Sequence, residues 1–175
     1  MAALPKPRRD PDAGGVLVPF QPRWAAQVAS WATDPQEAYW LAPKTPPPVT
    51  ADSVLRWRTV GHEPFALLPP GATLPAAYGE LNRLGDLRRQ YWIGHVIVDP
   101  ARRGRGHGVR LTRLLLQEAF EQRGAERVTL VVFPENQAAL ACYRAAGFHD
   151  DGEEWHEFAA YGVRVRLLRL ARRRF

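Results

Sequence analysis

Cysteine is nearly absent: Cys142 is the single one in 175 residues. A lone thiol excludes an internal disulfide framework and a cysteine-based zinc site, and no metal is expected. No apolar run approaches the roughly 20 residues that cross a bilayer, so no membrane span or membrane partner is expected. The first residues, Met1 to Asp12, are rich in proline and charge and lack an apolar centre. They do not read as a secretory signal, and the expected location is cytoplasmic. No internal repeat is visible. Two phosphate-binding signatures are missing as well. Nothing ends in Gly-Lys-Ser/Thr, and Gly104, Gly106 and Gly108 are spaced Gly-x-Gly-x-Gly rather than Gly-x-Gly-x-x-Gly. Aromatic-flanked basic repeats and known nucleic-acid motifs are also lacking, which leaves nucleic-acid binding as the weakest functional reading.

What is present is ordinary globular material with a positive bias. Hydrophobic residues make up 46% and charged residues 24%, which suits one domain with a sizeable core. We expect that domain over 16–175, behind a loosely held lead over 1–15. The net charge of +6 and pI near 10.1 favour an anionic partner, whether a phosphorylated cofactor, a nucleic acid or an acidic surface.

The chain is organised around Arg102-Arg103-Gly104-Arg105-Gly106-His107-Gly108. Before it, Tyr91 to Val98 reads as a buried strand, ended by Asp99-Pro100 because proline lacks the N–H that a central ladder needs. After it, Leu111, Leu114, Leu115 and Ala119 recur at helical spacing, predicting a helix over Val109 to Arg123. Glycines let successive backbone N–H groups approach a ligand. The first turn of the helix adds unpaired N–H groups and partial positive charge. Together with the guanidinium groups of Arg103 and Arg105 this predicts a phosphate site.

The remaining pattern gives strands at Val16–Phe20, Phe65–Leu68, Ala76–Leu81 and Arg127–Phe133, and a closing hairpin of Phe148–Phe158 with Gly162–Leu170. Helices are predicted over 21–33, over a short piece near Ala38–Leu41, over Ala51–Val60 with Thr50 as cap, and over Asn136–Ala146 with Gly147 as a left-handed stop. Asp34-Pro35 reads as the end of the first helix, and Arg172-Arg173-Arg174 as an exposed charged tail. The fold class is α/β, a mixed sheet with helices on both faces.

Two segments carry a family resemblance. Arg103-x-x-Gly106-x-Gly108, after Val96-Ile97-Val98-Asp99-Pro100, is similar to the coenzyme A loop of the GNAT N-acetyltransferases. Asn136-x-x-Ala139-x-x-x-Tyr143-x-x-x-Gly147-Phe148 resembles a second segment of that family. Asn136 and Tyr143 lie seven apart, two helical turns, hence on one face. The likeness is clear from Ala76 to Phe148 and loose elsewhere. It implies the GNAT fold, acetyl-CoA as co-substrate, and an amine of a small molecule or peptide as acceptor. It puts the backbone of Val96, Ile97 and Val98 beside pantetheine and acetyl, with the Val98 N–H polarising the carbonyl. It puts Arg103, Gly104, Arg105, Gly106, His107 and Gly108 on the pyrophosphate, Asn136 on the pantetheine, and Tyr143 as proton donor to the departing sulfur.

The base is left open between Glu80, on the preceding strand, and His95, on the central one, acting directly or through water. A solvated strand carboxylate and a core histidine are equally compatible with those positions. The fifth strand, Thr129-Leu130-Val131-Val132, lacks the carboxylate used in the ribosomal-protein branch of the family. The acceptor is expected between the first helices and the last hairpin, lined by Tyr39, Trp40 and Trp155, with His156 and Glu157 as further candidates. Glu153, Glu154 and Glu157 are placed to attract a cationic amine, though a solvated acidic loop explains them equally well. In many relatives the last hairpin pairs between subunits, so a homodimer is a further expectation. A GNAT-fold acyl-CoA sensor without turnover is the alternative function.

Overall fold

The computed structural model describes residues 14–58 and 61–175. Most of the expected lead therefore lies outside the described residues, as do Thr59 and Val60, the expected end of the third helix. Gly15 departs from the expectation of a loose lead. It is buried, its carbonyl accepts from Arg110 Nη2 at 2.9 Å, and a Cβ there would stand 2.7 Å from Leu67.

Seven strands form one mixed sheet in the order β1-β2-β3-β4-β5-β7-β6. They are β1 (Val16–Pro19), β2 (His62–Leu68), β3 (Ala77–Arg83), β4 (Gln90–Val98), β5 (Arg127–Val132), β6 (His149–Phe158) and β7 (Val163–Arg173). The helices are α1 (Ala25–Ser30), α2 (Pro35–Leu41), α3 (Ala51–Arg56), α4 (His107–Gln117) and α5 (Gln137–Ala145). A 3-10 turn at Pro22–Trp24 precedes α1, and α4 ends in a wider π turn over Glu118–Gln122.

Period two along β3 builds both faces of the sheet. Ala77 and Leu81 point to one side, where they pack with Leu111, Leu115, Leu116 and Ala119 of α4. Tyr78 points to the other, among Trp24, Val28, Val54 and Trp57 from the α1–α3 layer. Leucines repeating at three and four residues give α4 one apolar stripe, which is why it covers the sheet.

Several sequence expectations need correction. Asp34-Pro35 opens α2 rather than merely ending α1: the Asp34 carboxylate accepts the Glu37 N–H at 3.0 Å, and proline occupies the first turn. Arg172 and Arg173 are not a free tail but the end of β7, paired with Val128 and Arg127. Strand β2 begins at His62, three residues before the predicted start, because Pro64 sits in it as the partner of Glu80. The Thr50 cap is present, with Ser53 completing a capping box.

The central feature is a split. Strands β4 and β5 run parallel but pair only at Gln90–Arg127, Tyr91–Val128 and Trp92–Thr129. Beyond Trp92 they diverge. On its other edge β4 carries a bulge: Tyr78 pairs with Ile97 and Glu80 with Gly94, so Gly79 faces two residues, His95 and Val96. His95 takes the left-handed conformation there, φ 47°. A bulge bends its strand and increases its twist, and here it turns β4 away from β5. Glycine at 79 lets α4 sit close here, since a Cβ would meet the Leu111 and Leu115 methyls at 3.2 Å.

Candidate active site

The split opens a cavity of about 1140 Å³ walled by β4 and β5, the Arg102–Val109 loop, α5, the inner face of the β6–β7 hairpin and the α2–α3 region. Both proposed halves of the chemistry meet in it.

At one end lies the glycine loop. Gly104 and Gly106 have φ of 74° and 84°, and a Cβ at either would meet nothing within 4 Å. These glycines are therefore required by backbone conformation rather than by crowding. Gly106 is the N-cap of α4, so the first N–H groups of that helix face the loop. Gly108 is different: a Cβ there would lie 3.1 Å from Cys142 Sγ, so it sets the approach of α4 to α5. Of the seven loop residues, Arg105 alone does not line the cavity; it is exposed. Arg103 lines it, but its guanidinium is held by both oxygens of Glu37, and its Nε donates to the Val98 carbonyl at 3.3 Å. It ties α2 to the end of β4 as well as presenting charge to the cradle.

Val96, Ile97 and Val98 lie along the cavity where no β5 ladder covers them. The Val98 carbonyl on that edge is taken by Arg103; the other edge-facing backbone groups have no β5 partner and can serve a peptide-like ligand. Across from them stand Asn136 and Tyr143. Asn136 caps α5 by accepting the Ala139 N–H at 3.2 Å, which leaves its amide nitrogen as donor. Burial, and then the neighbouring Cys142 thiol, push the Tyr143 phenol well above its ordinary pKa. It stays protonated and so keeps an O–H to donate.

At the other end is a buried polar ladder. Tyr78, Glu80 and Asn82 share one face of β3, and Glu80 is fully buried. Its Oε1 accepts from the Tyr78 hydroxyl at 2.8 Å, and its Oε2 from the Asn82 amide at 3.2 Å. His95 Nδ1 lies 2.9 Å from Oε1 and His62 Nδ1 3.5 Å from Oε2. Burial alone would raise the Glu80 carboxyl; His95, Tyr78 and Asn82 outweigh it and hold it below the usual range. Glu80 does not line the cavity, whereas His95 and His62 do. The two sequence candidates for the base are thus one unit, with the carboxylate behind the imidazole. The His95 ring is stacked on Trp57, centroids 4.2 Å apart and planes 4° apart.

The acceptor residues expected from sequence divide by strand parity. Trp40 lines the cavity. Tyr39 does not: it packs behind, against Phe133 at 4.8 Å and Tyr161 at 4.7 Å. On β6, Glu154, His156 and Phe158 face inward, so Trp155 and Glu157 face outward. Trp155 is 63% exposed, under the guanidinium of Arg164. Glu153 pairs with Arg166 on the same outer face. The bulge between Asp150 and Glu153 sets this parity. Trp57, His62 and Trp92 also wall the acceptor end; in the sequence the tryptophans fall inside a helix and a strand with nothing to separate them from packing residues, and His62 falls between two elements. Among the described residues no group of three or more His, Cys, Asp or Glu side chains is placed to hold a metal ion. No helix among them is long and apolar enough to cross a membrane.

Known proteins share this fold. A family model described as the Acetyltransferase (GNAT) family matches residues 18–148. Over 92 residues the chain is 41% identical to the N-alpha-acetyltransferase RimI of Mycobacterium tuberculosis, covering 52% of this chain and 55% of that protein. Over 75 residues it is 31% identical to the spermidine N(1)-acetyltransferase of Escherichia coli K12, covering 43% and 40%. It spans from 25% to 55% of the length of the curated relatives it matches. Among solved structures, spermidine N-acetyltransferase from Vibrio cholerae in complex with CoA and spermine superimposes with a TM-score of 0.74 at 16% identity, covering 91% of this chain and 95% of that one. Mycobacterium smegmatis RimJ in complex with CoA-disulfide gives 0.73 at 22% identity, covering 93% and 84%. These structural likenesses show the fold. With a family match across three-quarters of its length and the split sheet that ends in a glycine loop, this chain belongs to the GNAT acetyltransferase family.

Proposed function

We propose that the protein is an acetyl-CoA-dependent N-acetyltransferase acting on a primary amine of a small molecule or peptide. One observation carries the reading. The uncovered edge of β4 runs from a glycine cradle at α4 to an imidazole backed by a buried carboxylate, with a protonated tyrosine across the gap. The cradle fits a diphosphate, since the backbone at Gly104 and Gly106 is open and the helix start supplies N–H donors. Acetyl-CoA, when bound, supplies an activated thioester.

The chain's own groups then have distinct tasks. The backbone from Arg103 to Gly108 holds the diphosphate, and the edge of Val96–Val98 with Asn136 aligns the pantetheine. The Val98 N–H is directed at the oxygen on which charge develops. His95 takes the proton that a primary amine, with a pKa near ~10, must lose before attack. Glu80 does not touch the acceptor; its carboxylate, 2.9 Å behind Nδ1, balances the charge that the ring acquires. Tyr143 donates to the sulfur as the C–S bond breaks, and its proton follows as charge builds there; a phenol is a weaker acid than a thiol (about 10 against about 8.5), so the phenolate left behind is the stronger base and regains a proton from water. The cytoplasm, where acetyl-CoA is abundant, is the proposed location.

The test is release of free thiol from acetyl-CoA in the presence of an amine panel, with calorimetry of coenzyme A binding alongside. Amine-dependent thiol release that falls in Tyr143→Phe is the expected result. Binding of coenzyme A without thiol release for any amine would favour the sensor reading; no heat with coenzyme A would overturn both.

A further inference from the structure

The charge around the acceptor end is the reverse of what a polycationic acceptor needs. The carboxylates that line the cavity are Glu37 and Glu154. Both already have cationic partners: Glu37 pairs with Arg103, and Glu154 with Arg169 at 3.0 Å, with the His156 ring at 2.8 Å beside it. Glu80 lies behind the two histidines. Lys44 and Arg56 also line the cavity, on the α2–α3 side beside Trp57. Their neighbourhood is fixed, since the Trp57 indole N–H donates to Thr45 Oγ1 at 2.9 Å. Neither cation has a carboxylate partner among the described residues, whereas the other arginines of the wall do or lie in the phosphate loop.

The walls between these cations and His95 are flat and apolar. Trp57 is stacked on the His95 ring, and Trp92 stands edge-on to His62 with centroids 5.3 Å apart. Gly94 makes room for that indole, because any Cβ there would lie 2.4 Å from it.

From this arrangement we infer that the acceptor is an amine with a flat apolar body and its own anionic group, of the aromatic amino-acid kind, rather than a polyamine or an aminoglycoside. The inference rests on the acetyl-transfer reading of the site. Physically, unpaired cations at the rim repel a second or third ammonium and attract a carboxylate. They also disfavour the protonated form of the one amine that must attack. An anion on the acceptor offsets the repulsion, so the zwitterion enters where the simple cation is opposed.

The experiment uses matched pairs at fixed acetyl-CoA, read by thiol release: phenylalanine against phenethylamine, tryptophan against tryptamine, with spermidine and kanamycin as polycations. The carboxylate-bearing member of each pair is expected to have kcat/KM about tenfold higher, the scale of one charge-assisted contact. In Lys44→Gln/Arg56→Gln that ratio should fall toward one, chiefly through KM for the carboxylate-bearing acceptor. Faster turnover of spermidine, kanamycin or the decarboxylated amines overturns the inference and leaves acetyl transfer standing. So does a ratio that the double variant does not change. Thiol release with none of the panel, although coenzyme A binds by calorimetry, overturns the transfer reading and this inference with it.

Discussion

Replacing Glu80 by Gln separates its chemical role from its structural one. The carboxylate offers acceptors on both oxygens, toward Tyr78 and His95 on Oε1 and toward Asn82 on Oε2. Asn82 cannot turn over to suit a new partner, because its Oδ1 already accepts the Glu63 N–H at 3.2 Å. The glutamine must therefore keep its oxygen toward Asn82 and present its NH2 toward Tyr78 and His95. The Tyr78 hydroxyl can rotate and accept. His95 Nδ1 must then be an acceptor too, which moves the ring proton to Nε2, the nitrogen that should receive the amine's proton. The fold loses little: the three contacts to Tyr78, Asn82 and His95 become neutral ones, offset in part because a charge is no longer buried, for a net cost of about 1–2 kcal/mol, or about 2–8 °C in Tm for a domain of this size. The base function is removed, so kcat should fall on the order of 10²–10⁴-fold. Glu80→Leu, by contrast, strands the buried Tyr78 and Asn82 donors at about 1–3 kcal/mol each and should unfold much earlier. The assay is thiol release at saturating acceptor, with thermal unfolding of the same preparations. Wild-type kcat in a folded Glu80→Gln protein would refute the relay. The pH dependence gives a second check. A carboxyl whose folded pKa is depressed contributes stability that is present above its unfolded value of 4.5 and is lost as pH falls through the folded value. Acid unfolding of Glu80→Gln should therefore be shallower than that of the parent.

Other consequences follow from the same geometry. Tyr143→Phe should lower kcat by about 10²-fold or more with coenzyme A affinity little changed, since only the proton donor is removed; stopped thiol release and calorimetry separate the two. The raised Tyr143 phenol contributes stability below the unfolded value of 10.0 that is lost as pH climbs above it, so the phenylalanine variant should tolerate alkali better in a pH titration of Tm. Gly94→Ala forces the Trp92 indole aside by placing a Cβ 2.4 Å from it; about 1–3 kcal/mol of overpacking should appear as a higher acceptor KM and a changed near-ultraviolet tryptophan signal. Gly106→Ala meets open space but must adopt φ 84°, a strain of about 1–2 kcal/mol that should weaken coenzyme A binding several-fold by calorimetry.

How much of this was legible in the chain depends on whether a feature is local. The glycine loop and the Asn136–Tyr143 segment are local: their spacing along a loop and a helix fixes their mutual placement, so the cradle and the phenol could be read directly. Helix α4 was legible for the same reason, through its leucine repeat. The boundaries that failed did so through short-range chemistry with two meanings. Asp34-Pro35 serves equally as a stop for one helix and as cap and first residue of the next, and only the Glu37 N–H decides between them.

The acceptor end was hidden for a different reason. On β6, alternation alone leaves both parities open, and a bulge between Asp150 and Glu153 selects the one that turns Glu154 and His156 inward and Trp155 out. On β4 a second bulge does more. By setting His95 and Val96 against the single residue Gly79, it puts the His95 backbone at φ 47°, brings Nδ1 to 2.9 Å from Glu80, and leaves Val96–Val98 without a ladder on the β5 side. Glu80 and His95 looked like rival bases because an unbulged register offers no means of telling which stands in front. Histidine tolerates the left-handed region better than β-branched residues do, yet nothing in Tyr91–Val98 marks position 95 as its place. The extra residue that bends the strand away from β5 is the same one that aims the imidazole, so the opening for the thioester and the alignment of the base arise from one local distortion.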